Sequence, residues 1–382
     1  MFDDQAIDRR ALLSGAAATA VLAAMPAGRA QTAAGAAAAD RVYICNEDSN
    51  TLSVIDPTTN IIAGTVNLTS FDEDPRPPFR FVTGGVMPTH LAMVRKPLYH
   101  GAIDIHGAAP SPDNRLIATT GRGTSNVYLI DTASMRVVGN QANPQAGETT
   151  NKERLTSGVL VGREPHEPTF TRNGKELWVT VRGEDRIAIL DVDAARRESA
   201  GEEVPAQRRS FKTINGPAQV WFSKDGSLAF IVSQKVSLID VVATNFDAEG
   251  RSRPERLATI DIKAQDPRAF TPFLKTSPDG AEVWLSHKIA DAVSSWTTTR
   301  SPRVLDTVDL GQNARPNHVE FVENARGKFV YVSLARVDDG GPGGAASSRI
   351  AIVDRSASAG SRKVVGQFFS HGREAHGLWT NP

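Results

Sequence analysis

Ser277-Pro278-Asp279-Gly280 closes one extended run and opens the next, and the same punctuation recurs at Ser111-Pro112-Asp113-Asn114, Arg172-Asn173-Gly174 and Lys224-Asp225-Gly226. Each turn is followed by an apolar, β-rich run, which is how a tight turn joins two antiparallel strands. Outward from these turns, a polar loop and a third run ending in Asp complete the unit. The third runs read Leu52-Ser53-Val54-Ile55-Asp56, Val127-Tyr128-Leu129-Ile130-Asp131, Ile187-Ala188-Ile189-Leu190-Asp191, Val236-Ser237-Leu238-Ile239-Asp240 and Ile350-Ala351-Ile352-Val353-Asp354. Several short strands repeating at a period of roughly 40–60 residues are the mark of a β-propeller. The sequence predicts an all-β chain, a β-propeller of seven-bladed design in which direct counting of repeats gives six units with the last incomplete.

Each blade runs from an inner strand A to an outer strand D. Inner strands are expected at residues 106–111, 166–171, 218–223, 272–277, 318–322 and 376–380, whereas Arg41-Val42-Tyr43-Ile44-Cys45 has the character of a strand B with no A before it. Three closures stay open: the last strand completes the first blade, a seventh blade lies beyond the chain given, or residues 67–101 hold a degenerate blade.

The 382-residue chain carries 43 basic and 43 acidic side chains and only 6% aromatics, so neither a nucleic-acid nor an anionic-membrane footprint is expected. Arg9-Arg10-Ala11-Leu12-Leu13, the Ala-rich stretch after it and Gly28-Arg29-Ala30 read as a twin-arginine export signal over 1–30. A flexible lead-in over 31–40 and a propeller domain over 41–382 follow. The apolar stretch is too short to span a membrane, and the protein is expected to be periplasmic or secreted. A single cysteine, Cys45, excludes an internal disulfide.

Tyr43-Ile44-Cys45-Asn46 with Asn50-Thr51-Leu52-Ser53-Val54-Ile55-Asp56-Pro57-Thr58-Thr59-Asn60 resembles the repeat of the YVTN (YncE-like) β-propeller family. The Ser-Pro-Asp-Gly turns resemble it too. The resemblance implies the propeller fold over nearly all of the mature chain. Similar propellers include surface-layer proteins, lactonases and haem d1 domains, so function has to come from the site.

Histidines mark that site. His106, His166, His318 and His376 stand at the start of strand A, while His90, His100 and His371 lie in connections leading to it and His287 in a B–C loop. All are expected on one rim, around the channel mouth. Imidazoles converging from separate blades suit a transition metal (Cu, Zn or Fe) or a non-covalent haem; with none bound, they line a wet funnel. Arg163-Glu164-Pro165-His166, Arg373-Glu374-Ala375-His376 and Arg315-Pro316-Asn317-His318 add arginines three residues before each histidine. Arg163, Arg315 and Arg373 would form a cationic collar for a carboxylate or phosphate ligand, oriented by Glu164 and Glu374. Arg–Glu pairs bracing the loops are the alternative.

The Asp residues ending strand C recur too regularly for catalysis and are expected to accept backbone N–H groups. Gly121-Arg122-Gly123 is followed by no helix N-terminus, and neither a Gly-x-Ser-x-Gly turn nor a Cys-x-x-Cys-His haem attachment occurs. The expected function is a binding or scaffold role for a small anionic molecule or a metal ion. A metal- or haem-dependent oxidoreductase with His106, His166, His318 and His376 as ligands is the rival, and a lactonase-like hydrolase the third reading.

Overall fold

The computed structural model describes residues 42–46, 51–56, 61–68, 103, 105–139, 141–142, 153–154, 158–206, 208–264, 270, 273–339 and 347–369. The export signal over 1–30, the lead-in over 31–40, His90, His100, His371, Arg373, Glu374 and the strand expected at 376–380 with His376 lie outside the described residues. Among those described, no helix is long and apolar enough to cross a membrane.

Five sheets of four or five strands and one of three make up the propeller. The three-stranded sheet is β1 (Val42–Asn46), β2 (Thr51–Asp56) and β3 (Ile61–Asn67). The second is β4 (Ile105–Pro110), β5 (Leu116–Gly121) and β6 (Asn126–Asp131), continued by the short β7 (Arg136–Val137). A ribbon of β8 (Gln141–Ala142) and β9 (Glu153–Arg154) stands apart, and β10 (Val159–Leu160) returns to pair with β6. The third sheet is β11 (Pro165–Phe170), β12 (Glu176–Val181), β13 (Arg186–Asp191) and β14 (Arg209–Lys212), with helix α1 (Val192–Ser199) before its last strand. The fourth is β15 (Pro217–Phe222), β16 (Leu228–Ser233), β17 (Leu238–Ala243) and β18 (Glu255–Asp261). The fifth is β19 (Leu274–Thr276), β20 (Glu282–His287), β21 (Ala292–Thr297) and β22 (Val304–Asp309). The sixth is β23 (Pro316–Asn324), β24 (Gly327–Asp338), β25 (Ser347–Asp354) and β26 (Val364–Phe369).

Inner strands β4, β11, β15, β19 and β23 touch one another in that order, so the sheets are arranged radially. β1 packs on β4 as β5 packs on β11 and β12 on β15, which puts β1 in the strand B position.

The A–B turns are built alike because their chemistry is local. Ser111 Oγ donates to Asp113 at 2.6 Å and accepts Leu116 N at 3.0 Å; Ser223 with Asp225 and Ser277 with Asp279 repeat this, and Thr171 with Asn173 substitutes for it. The residue after the acidic or amide position is left-handed, with φ of 55° at Asn114, 70° at Gly174, 72° at Gly226 and 79° at Gly280, a conformation that Gly and Asn tolerate best.

The second strands β5, β12, β16 and β20 are buried at every position, which explains their continuous apolar runs. The core sits between neighbouring blades. Trp178 of the third sheet, for example, meets Phe222 of the fourth edge-on at 5.1 Å between ring centres. Each such buried large side chain contributes about 2–3 kcal/mol.

Three of the Asp residues ending strand C cap the following turn: Asp131 accepts Ser134 N, Asp191 Ala194 N and Asp354 Ser356 N. Asp240 departs from the expectation. The strand runs to Ala243, so Asp240 lies inside β17, fully buried, accepting Ile214 N and the Thr259 hydroxyl and paired with Arg256 at 3.0 Å.

Candidate functional site

The inner strands enter through a bulge. Between Ile105 and Ala108, and between Pro165 and Pro168, the ladder shifts so that two residues oppose one on the neighbouring strand. The same shift occurs between Pro316 and Val319. A bulge breaks the period of two and re-aims side chains, and here His166 and its neighbour Glu167 both reach the cluster that His106 joins. A hydroxyl on the second strand braces each entry: Gly107 N donates to Thr120, Glu167 N to Thr180 and His318 N to Ser333.

By this register His106 and His166 are equivalent, but His318 is level with Glu167 and Gly107, one step further along. The position of His166 is held in the sixth sheet by Asn317. His318 meets Glu167 at 4.0 Å all the same. β15 and β19 stand between β11 and β23 in the succession of inner strands, so side chains of the two meet across the axis.

Hydrogen bonds fix the tautomers. The carbonyl of Ala218 can only accept, so His166 donates to it from Nδ1 at 2.9 Å and presents Nε2 as an acceptor. That nitrogen lies 3.0 Å from His106 Nε2 and 2.9 Å from Gln234 Nε2, each of which donates to it. Gln234 Oε1 accepts from Arg182, which also pairs with Glu164 at 3.3 Å. His106 Nδ1 then accepts from Arg122 Nη1 at 3.4 Å.

Glu167 is 2% exposed, and its Oε2 has no hydrogen-bond partner. Burial pushes its carboxyl well above the usual range, while the nearby Arg122 charge pulls the other way. Gly107 leaves room for it, since a Cβ there would come within 2.8 Å of the Glu167 carboxyl carbon. The Phe273 ring lies 4.0 Å from His318 and 6.3 Å from His166, giving the cluster one apolar wall. His166, Glu167, His318 and Arg122 are buried; His106, Arg182 and Gln234 are half-buried and form the outer layer.

The structure therefore brings together His106, His166 and His318 among the residues singled out in the sequence. Glu164 is buried beneath them, bonded to Arg182 rather than to Arg163. Arg163 is exposed, with Nη2 on the Gly183 carbonyl of its own blade and its backbone N on Glu184. Arg315 is exposed, left-handed at φ 50°, its backbone N held by Asp291. His287 lies at the end of β20, buried and bonded to Ser294 at 2.6 Å. Glu167, Arg182 and Gln234 escaped the sequence reading, and Arg122 entered it only within the discounted Gly121-Arg122-Gly123 loop. A usable signal existed for three of them: Arg122, Arg182 and Gln234 each follow directly on a buried second strand.

These features define a β-propeller whose axis holds a buried cluster of imidazole, carboxyl and guanidinium groups. Residues 111–339 match the family described as Lactonase, 7-bladed beta-propeller, and the chain belongs to that family. No curated protein matches the chain in sequence. Among solved structures, it is similar to the periplasmic gluconolactonase PpgL of Pseudomonas aeruginosa, with 15% identity and a TM-score of 0.55 over 87% of this chain and 80% of that one. It is similar also to a putative 6-phosphogluconolactonase from Bacteroides fragilis, with 15% identity and a TM-score of 0.56 over 91% and 85%. Against Kuenenia stuttgartiensis hydrazine synthase the TM-score is 0.44 at 15% identity over 69% of this chain, which spans only 65% of that protein's length. A propeller repeat family, which the YVTN resemblance implied, is thus established as the seven-bladed lactonase one.

Proposed function

We propose that the axial cluster opens the ring of a small anionic lactone by hydrolysis. The observation that carries this reading is the meeting of the His106–His166 pair with Arg122 on the axis, in a chain of the lactonase family. Water attacks the lactone carbonyl and gives a proton to the imidazole pair. Arg122 stabilises the oxyanion that develops. The ring C–O bond then breaks, and the leaving alkoxide takes the proton back from the imidazolium, so that the product is a hydroxy acid. Arg163 and Arg315, exposed at the entries of their strands, favour a substrate carrying carboxylate or phosphate.

A pH-stat assay with glucono-1,5-lactone and its 6-phosphate tests this. Acid release above the uncatalysed rate is expected, with His166→Asn lowering kcat/KM by about 10²–10⁴-fold and Arg315→Ala raising KM for the phosphorylated substrate. A protein that binds these lactones and returns them intact would overturn the hydrolytic reading in favour of a binding role. We also infer export through the twin-arginine route from Arg9-Arg10. Fractionation of the source cells should place the mature protein outside the cytoplasm; retention of an uncut chain in the cytoplasm would refute it.

A further inference from the structure

We infer that His106, His166 and Glu167 form a binding site for a divalent transition metal of the zinc class. Their ligand atoms lie within 4.8 Å of one another. The two Nε2 atoms, 3.0 Å apart, suit an ion bonded to both at about 2.0–2.1 Å with an N–metal–N angle of about 95°. Glu167 supplies the second, independent observation: a buried side chain whose Oε2 has no partner. An orphaned carboxyl oxygen at that depth is costly, and a cation beside it removes the deficit. Two imidazoles with one carboxylate form an open set, leaving a further position for water.

The second contacts of the ligands are in place for this. His166 is held from behind by its Nδ1–H bond to the Ala218 carbonyl, the arrangement that orients a metal-bound imidazole. Binding moves the His106 hydrogen from Nε2 to Nδ1, so the 3.4 Å contact with Arg122 is given up along with the hydrogen bond between the two imidazoles. Gln234 turns away from His166 Nε2. Neither imidazole loses a proton overall.

The site stands apart from the hydrolytic reading, because metal and attacking water compete for the same imidazole pair. The test is titration of the full chain, first stripped with chelator, with Co²⁺ followed by visible absorption and with Zn²⁺ followed by calorimetry. One equivalent per chain is expected, with d–d bands displaced by Zn²⁺. His106→Gln, half-exposed and least disruptive, should weaken Co²⁺ binding at least tenfold, and His166→Ala and Glu167→Gln should abolish the bands. Circular dichroism and thermal melting of each variant show that the fold survives. Absence of stoichiometric binding by the intact chain, or bands unchanged in folded His106→Gln, would overturn the metal site. Lactone turnover by the stripped protein would leave the hydrolytic reading in place whatever the metal titration shows, whereas a stripped protein inert toward lactones would remove that reading alone.

Discussion

Buried ionisable groups gather near both ends of the inner strands, and the two ends treat them differently. At the entry end, Glu167 keeps one oxygen unpaired and its carboxyl is pushed upward by burial. At the A–B turn end, between the fifth and sixth sheets, a cavity of about 680 Å³ is lined by Asp279, Glu282, Glu323, Lys328, Arg355 and Arg362 among others. Here nearly every charge is matched. Arg355, whose side chain is 4% exposed, reaches Asp279, Glu282 and Glu323. Glu282 accepts from Trp284 at 2.8 Å and from Arg362 as well. Burial opposes the ionisation of Glu282 too, but these bonds win, and its carboxyl lies below the usual range. Two buried glutamates thus shift in opposite directions. A charge fully matched by its neighbours fastens blade to blade, whereas the Glu167 oxygen stays unmatched.

The largest effect should come from cutting the matched network. Arg355→Ala removes the partner shared by Asp279, Glu282 and Glu323, leaving Arg362 and Lys328 beside them, and should destabilise the protein by about 3 kcal/mol, read by urea unfolding; a loss below about 1 kcal/mol would erase the contrast between the two ends. Glu282→Gln should follow, at about 1.5–3 kcal/mol for charged hydrogen bonds lost. The matching change at the entry, Glu167→Gln, should leave stability unchanged or raise it by up to about 1 kcal/mol, because nothing saturates that carboxyl. Equal losses at both glutamates would show the entry to be structural. Trp284→Phe removes one donor from Glu282 and should cost about 1 kcal/mol.

The smallest effect is a shift in acid sensitivity. Burial opposes ionisation of Asp279, yet bonds from the Ser277 hydroxyl, Ala281 N and Arg355 hold it at about 2, below its ordinary 3.8. A depressed carboxylate contributes stability that is present above its unfolded value and lost as pH falls through the folded one. Unfolding free energy measured from pH 5 to 2 should therefore fall less steeply in Asp279→Asn than in the parent.

The A–B turns were legible because everything they need lies within five residues. Ser111, Asp113 and the left-handed Asn114 close on themselves, so sequence and structure coincide there. Legibility failed wherever register intervened. Asp240 has the sequence look of a strand end but lies mid-strand, because pairing with β18 extends the ladder to Ala243. His318 matched His106 and His166 as a letter, yet the bulges set it one step along. Arg163 and Glu164, adjacent in the chain, take different partners since Glu164 sits buried at φ 53° while Arg163 stays exposed.

The chain alone determined the blade, since a period-two apolar run and a turn built from its own side chains are short-range properties. Only the packing of sheet against sheet decided the site. Bulged entries, and contact across an axis between residues 151 positions apart, Glu167 and His318, depend on how the blades meet and at what register. No local pattern encodes that distance.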